Sequence, residues 1–425
     1  MPFRLHKLNL PRAVYWFAAL AFALRIVARL FYTGIEGFWI YGYGFFFDLA
    51  QSIAQGHGYS VEGAATGFRV PMYSILLAGI TLGHRAFWPI AIAQSAMGAG
   101  TVLCAALLAC RMFAGAAANR AATLAAAATA VYPYYVIHDT ALQETSLYTL
   151  LTLAAVLVLG EAAREGRAAT GAAGGLLLGL DVLTRATLAP FAVLAPLWLL
   201  WRRRGRAAAA CALLLAASVL PWIVRNAVVL GAPTLSTETG TEFWAGNCGF
   251  LFRHYPQESS DLSKAEAFDA LSPQDAKELQ SFANNEALAD RWLFHKGLEC
   301  VRAHPGQTVI DGFRKIAAGF YWLPSPRRGR GFDLVNAFSY GPVMVLGLWG
   351  MGRRRAHWRE DSSIYLLFLA FVAVTAVFWA HTSHRVYLDV YWIVFGAGAV
   401  AETVLRRRKQ RTAEATGEPA EMVGS

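Results

Sequence analysis

WRRRGRAAAACALLLAASVLPWIVRN, residues 201–226, decides the fold class. Arginines crowd its first six positions, and the eighteen residues 207–224 then carry no charge until Arg225. A helix needs about 20 largely apolar residues to cross a bilayer. In hydrocarbon every backbone N–H and C=O must be satisfied within the segment, so such a run reads as a helix. Similar runs recur on both sides of it, giving predicted spans at 12–32, 86–112, 118–136, 141–161, 168–184, 186–201, 207–230, 334–352, 362–380 and 384–405. The stretch 70–83 is apolar but too brief to span upright and reads as interfacial or re-entrant. The chain is 56% hydrophobic and 16% charged. The expected fold is an all-α polytopic membrane protein with about ten transmembrane helices.

Charge placement tests this division. With the N-terminus in the cytoplasm, the cytoplasmic segments hold Arg4, Lys7 and Arg12, then Arg111 and Arg120, then Arg164 and Arg167. They also hold the clusters at 201–206, 353–359 and 406–411, about twenty basic residues in all. The short segments opposite hold about four, among them Arg69, Arg185 and Arg385. Counting 70–83 as a full span would reverse most clusters, so ten spans with both termini cytoplasmic are predicted. The net charge of +10 is therefore a topology signal, and nucleic acid is excluded as a partner. The start, MPFRLHKLNLPR, runs into a full-length helix without a small-residue cleavage site and predicts no cleaved leader.

The polar remainder divides the chain. Residues 1–230 form an N-terminal transmembrane region with a first periplasmic loop at 33–70. Residues 231–333 form a helical periplasmic cap, 334–405 the C-terminal transmembrane helices, and 406–425 a disordered cytoplasmic tail. Cys104, Cys110 and Cys211 fall in apolar runs as packing residues. Cys248 and Cys300 share the long polar segment and can pair if it faces an oxidising space.

Five motifs follow one another. FFFDLAQSIAQGHGYSVEGAATGFRVPMYSILLAG (45–79) is an amphipathic helix, a Gly-rich turn and an Arg-x-Pro-x-Tyr element containing Arg69 and Tyr73. YPYYVIHDTALQET (132–145) carries His138, Asp139 and Glu144; LLLGLDVLTRATL (176–188) carries Arg185. PWIVRNAVVLGAPTLSTETGTEFWAGN (221–247) carries Arg225, Asn226 and Asn247, and HTSHRVYLDVYW (381–392) carries His384 and Arg385. In this order they resemble the GT-C class of membrane glycosyltransferases, in particular bacterial relatives of the dolichyl-phosphate-mannose protein mannosyltransferases and of the lipid A aminoarabinose transferase. One departure stands out. Where that family has Asp-x-x-x-Tyr-x-x-(Leu/Ile)-Ala, alignment on Leu49-Ala50 puts Phe46 at the aromatic position and Gly42 at the aspartate.

The resemblance implies an inverting glycosyltransferase of the bacterial inner membrane with its active site on the periplasmic side. It would move a hexosyl or pentosyl group from a polyprenyl-phosphate donor to a glycan, lipid or protein acceptor. No cofactor is required, and a divalent metal is not indicated by the spacing of His138, Asp139 and Glu144. Displacement at the anomeric carbon needs a carboxylate as general base and cations on the leaving phosphate. Asp48, the carboxylate of an otherwise apolar helix, and Glu36 are the candidate bases; each is also explained by simple solvation. Arg69, Arg185 and Arg225 are phosphate candidates because a guanidinium pairs two phosphate oxygens. The alternatives are a headgroup anchor for Arg69, a structural i,i+4 pair with Asp181 for Arg185, and snorkelling for Arg225. Tyr73, His138, Asp139, Glu144, Asn226, Asn247, His384 and Arg385 are candidate substrate contacts. Against these stand a helix-dipole role for Glu144, a turn for Asn247 and pairing with Asp389 at the last motif. Arg25 and Arg29 lie inside the first span and must find partners, either the lipid phosphate or Asp181. The outer-side aromatics, among them Tyr43, form an interfacial belt. A transporter or flippase of lipid-linked glycans, and a ligase using a pyrophosphate donor, are the rival readings.

Overall fold

The computed structural model describes residues 10–40, 43–258, 260–324, 329–379 and 381–416. The motif position Gly42 and the topology residues Arg4 and Lys7 lie outside the described residues. Helix α1 (Arg12–Ala28) passes through a π-helical turn (Arg29–Thr33) into α2 (Gly34–Ile40). Helix α3 (Gly44–Ala54), a two-residue hairpin pairing Ser60 with Ala65 and Val61 with Ala64, and α4 (Met72–Thr81) complete the first polar segment. The bundle continues with α5 (Phe87–Met112), α6 (Gly115–Val131), the short α7 (Pro133–His138), α8 (Thr145–Glu165), α9 (Ala168–Val182), α10 (Ala189–Trp201) and α11 (Gly205–Leu230). The long polar segment folds as α12 (Thr239–Asn247), α13 (Ser260–Asp269), α14 (Pro273–Ser281), α15 (Glu286–Ala303) and α16 (Pro305–Gly319). Helices α17 (Arg330–Arg353), α18 (Ser362–Val377) and α19 (Val386–Thr416) close the chain.

Each predicted span coincides with a helix. Among the described residues six helices are long and apolar enough to cross a membrane: Arg12–Ile40, Phe87–Met112, Thr145–Glu165, Gly205–Leu230, Arg330–Arg353 and Thr382–Thr412. Two boundaries differ from expectation. The span predicted at 118–136 stops at Val131, because Pro133 drives Tyr132 to extended backbone (ψ 116°) and then opens α7. The tail predicted as disordered from 406 is helical to Thr416, since RRRKQRTAEA is rich in helix formers and meets its first glycine at Gly417.

Small residues set the packing. A Cβ at Gly171 would lie 2.1 Å from the Ala207 carbonyl oxygen, and one at Gly175 2.1 Å from that of Cys211. This glycine stripe lets α9 and α11 touch backbone to backbone, the contact that membrane helices use in place of a hydrophobic drive.

At one end of the bundle the basic clusters interlock. Arg111 pairs with Glu161, and Arg204 donates to the carbonyls of Ala163 and Arg164 at 2.8 Å each. Arg354 forks onto Asp361 at 2.9 and 3.0 Å and also donates to the Met112 carbonyl. The alternation read from charge thus brings these loops to one end. The opposite end carries α12–α16, where Cys248 and Cys300 are joined in a disulfide that fastens α12 to α15. Phe243 also stacks on Phe294 there, at 4.5 Å.

Candidate active site

The floor beneath the cap is held by charge buried in α1. Arg25 and Arg29 are 1% and 0% exposed, so each must be neutralised and hydrogen-bonded in place. Arg25 forms an ion pair with Asp139 and donates to the Ala21 carbonyl at 3.0 Å. Arg29 donates to Ser95 Oγ at 2.5 Å, the Ala91 carbonyl at 3.0 Å, Gln94 Oε1 at 3.2 Å and the Asp139 carbonyl. The break at Pro133 swings α7 over α1 and delivers Asp139. The anticipated pairing of Arg25 or Arg29 with Asp181 does not occur; Asp181 instead accepts from Thr152 Oγ1 at 2.7 Å. Asp139 is accordingly a counterion. Asp139→Ala strands a buried guanidinium and is expected to cost about 3–5 kcal/mol, read as a lower thermal midpoint of the detergent-solubilised protein.

Above this floor, loops from distant parts of the sequence are stitched together by backbone. The Tyr43 N–H donates to the Leu142 carbonyl at 2.9 Å, Met72 N–H to Leu183 at 2.8 Å and Thr237 N–H to Gly67 at 3.0 Å. Ser236 Oγ donates to the Phe68 carbonyl at 2.7 Å, and Thr66 Oγ1 to Glu286 Oε2 of the cap at 2.8 Å. The stitching gathers charge. Arg69 meets Glu238 at 2.6 Å, and its guanidinium lies 5.2 Å from the Phe68 ring centre and 6.0 Å from that of Tyr43. Glu144, nearly buried at the first turn of α8, lies 3.9 Å from Arg185 Nε. Arg185 in turn sits 5.6 Å over the Tyr148 ring. The Tyr43 hydroxyl lies in the field of Glu144, Arg69 and Arg185, and His384 in that of Arg185, Arg69 and Lys264. Lys264 reaches Glu242 at 2.7 Å. Burial pushes the Glu238 carboxyl up to about 7, against the pull of Arg69.

The candidates from sequence therefore separate. Arg69, Glu144, Arg185 and His384 share one electrostatic neighbourhood. Tyr73, buried on α4, accepts from Gln94 Nε2 at 3.3 Å, and Glu144 acts on its hydroxyl. Among the described residues neither Asp48 nor Glu36 forms an ion pair with Arg69 or Arg185, which meet Glu238 and Glu144 instead. Asp48 is exposed on α3, whose Phe46, Phe47, Leu49 and Ala50 turn inward, and among the described residues it has no hydrogen-bond or ion-pair partner. Glu36 is exposed on α2. Arg225 spends its guanidinium on the carbonyls of Thr66 (2.6 Å) and Tyr59 (2.7 Å), wedged against Trp222. Asn226 donates to the Thr234 carbonyl at 2.8 Å, so both brace the loop that carries Arg69. Asn247 ties α12 to the Val377 carbonyl (2.9 Å) and accepts from Lys315 (3.0 Å). His138 stacks on Tyr134 and meets Gln143 at 3.0 Å. Arg385 is buried 3.4 Å from the Tyr340 ring centre and 3.6 Å from Asp389, the i,i+4 pairing considered from sequence. His138, Asp139 and Glu144 do not converge, and among the described residues no three His, Cys, Asp or Glu side chains gather to hold a metal.

Sequence reasoning passed over Glu238 and Glu242. Their i,i+4 spacing directly after a span, facing a loop arginine, was the available signal. Tyr43 was assigned to the aromatic belt.

No family model and no curated protein sequence matches this chain. Solved structures do match. The oligosaccharyltransferase AglB of Archaeoglobus fulgidus, in complex with an inhibitory peptide and a dolichol-phosphate, superposes with a TM-score of 0.53 at 14% identity, over 95% of this chain and 51% of that one. The same organism's oligosaccharyltransferase in the apo form gives 0.50 at 14% identity, over 96% and 52%. ArnT from Cupriavidus metallidurans bound to undecaprenyl phosphate gives a weaker 0.40 at 15% identity, over 92% and 78%. The chain spans about half the length of the archaeal enzyme. Its helix order, its interlocked basic end and this likeness agree: the chain is an all-α polytopic membrane protein with the fold of the GT-C class of membrane glycosyltransferases.

Proposed function

We propose that the chain transfers a sugar from a polyprenyl-phosphate carrier to an acceptor hydroxyl, at the cap end of the bundle, on the periplasmic face of a bacterial inner membrane. Arg69 and Arg185 grip the donor phosphate, and Glu144 between them takes the acceptor's proton. The acceptor oxygen attacks the anomeric carbon and the carbon–oxygen bond to phosphate breaks. Its electron pair goes to the phosphate, which the two guanidiniums stabilise, and the configuration inverts. The observation that carries this reading is a nearly buried glutamate 3.9 Å from Arg185, on the loop whose Leu142 carbonyl holds Tyr43, with the Arg69 guanidinium 6.0 Å from the Tyr43 ring centre. The sidedness is supported by the disulfide in the cap, which suits an oxidising compartment, and by the basic clusters at the other end.

Incubation of the purified full chain with a radiolabelled polyprenyl-monophosphate sugar tests the reaction. Cleavage of the sugar–phosphate bond, with label passing to acceptor or water, is expected. Movement of intact donor across a liposome without cleavage would make the chain a flippase, and preference for a pyrophosphate donor would make it a ligase.

Glu238 makes donor binding depend on pH. Above about 7 its carboxylate is charged and competes with phosphate for Arg69; below, it is neutral and Arg69 is released. The donor phosphodiester keeps one negative charge throughout. Donor affinity is expected to rise about tenfold between pH 8 and pH 6 in the wild type and to stay flat in Glu238→Gln, read by equilibrium binding.

A further inference from the structure

The end of the bundle away from the proposed active site carries a second feature. Between α6 and α19 runs a groove of about 530 Å³. Leu124, Val400 and Val404 form its apolar wall, and Asn119, Arg120 and Arg408 its polar mouth. The spacing explains the arrangement: 400, 404 and 408 stand one turn apart on α19, as 120 and 124 do on α6. Among the described residues no acidic side chain lines the groove. Arg120 Nη1 is shielded from solvent and has no hydrogen-bond partner among the described residues, unlike Arg204 and Arg354 at the same end, whose guanidiniums are filled by carbonyls and carboxylates. Leu124 and Val404 are 40% and 41% exposed and face the surroundings of the bundle.

A site with two guanidiniums at the headgroup level and an aliphatic trough toward the hydrocarbon matches one class of molecule in shape and charge. We infer that this groove holds an anionic diacyl phospholipid of the surrounding membrane, its phosphodiester between Arg120 and Arg408 and one acyl chain along Leu124, Val400 and Val404. Basic recesses between transmembrane helices recognise anionic headgroups in this way. A free phosphate would leave the apolar wall uncovered, and a zwitterionic lipid would set a third cation beside the two arginines. The inference is independent of the proposed glycosyl transfer, since none of these residues belongs to the Arg69–Glu144–Arg185 neighbourhood.

The test uses the full chain, delipidated in a non-ionic detergent, with dioleoyl phosphatidylglycerol, dioleoyl phosphatidylcholine or inorganic phosphate as probes. Bound lipid is counted by native mass spectrometry, and the thermal midpoint is followed alongside. One phosphatidylglycerol per chain is expected to be retained, with about tenfold preference over phosphatidylcholine. Arg120→Ala/Arg408→Ala should lose that preference. Arg406→Ala/Arg407→Ala removes the same charge from the neighbouring surface and should keep it. Thr123→Trp fills the groove without altering a charge and should expel the lipid, so the inference stays testable if the arginine variant does not fold. Equal retention of both lipids, equal loss in the two arginine variants, full retention in Thr123→Trp, or stabilisation by inorganic phosphate alone would each overturn it.

Discussion

Glu144→Gln is expected to leave the protein folded and to lower sugar transfer by about 10²–10⁴-fold, the usual contribution of a positioned general base. The amide keeps the shape of the side chain and removes its ability to accept a proton. Folding should survive, because the Glu144 side chain makes no capping hydrogen bond at α8 and its pairing with Arg185 is a loose 3.9 Å. Donor binding should be retained or improved, since the charge facing the phosphate is gone. Asp48→Asn, on the exposed face of α3, should stay within about threefold of wild type, as surface substitutions away from a site do. The two variants decide between the carboxylates on one assay. If Asp48→Asn abolished transfer while Glu144→Gln did not, the base would return to α3, whose lone carboxylate is the other candidate base.

Arg185→Gln is expected to lower transfer by about 10²–10³-fold through loss of charge stabilisation on the leaving phosphate. Arg185→Lys should recover only part of this, because an ammonium cannot reproduce the planar fork over two oxygens. Arg69→Gln should lose a comparable amount but differ in pH behaviour. With Arg69 gone, Glu238 has no guanidinium to compete for, and the rise in affinity below about pH 7 should vanish with it. Arg225→Ala should behave in another way. Its guanidinium holds the carbonyls of Thr66 and Tyr59, so stability should fall along with activity. Measuring kcat and KM beside the thermal midpoint separates the residues that touch phosphate from those that place the loop.

The helices were legible because bilayer thickness imposes length and apolarity on each one, and because the clusters at 201–206, 353–359 and 406–411 can share an end only under one alternation. Helix ends were less legible. At Tyr132 a single proline overrode an apolar run, and beyond Arg406 strong helix formers carried a charged tail onward. The proposed site was legible in part. Arg69, Glu144 and Arg185 stood out as charges close to span ends, where burial is costly and a partner is required. What the sequence could not give was partner choice. Asp139 follows His138 and looks like a ligand, yet the bend at Pro133 commits it to Arg25, 114 residues away. Arg185 has Asp181 four residues before it and pairs instead with Glu144, because α9 ends at Val182 and Arg185 turns into extended backbone. Asp48 attracted attention as the carboxylate of an aromatic helix, but the turn of that helix sends it outward. Such choices depend on which faces meet in three dimensions, which spacing along one segment does not encode.

The central claim is that a prenyl-linked phosphate seats between Arg69 and Arg185 with Glu144 beside it. A cryo-electron microscopy map of the full chain with a bound polyprenyl monophosphate measures this directly. The account predicts phosphate density within hydrogen-bonding distance of both guanidiniums at the cap end, with the Glu144 carboxylate lining the same space. Phosphate density against exposed Asp48, midway along the bundle, or at the end where the basic clusters interlock would contradict it.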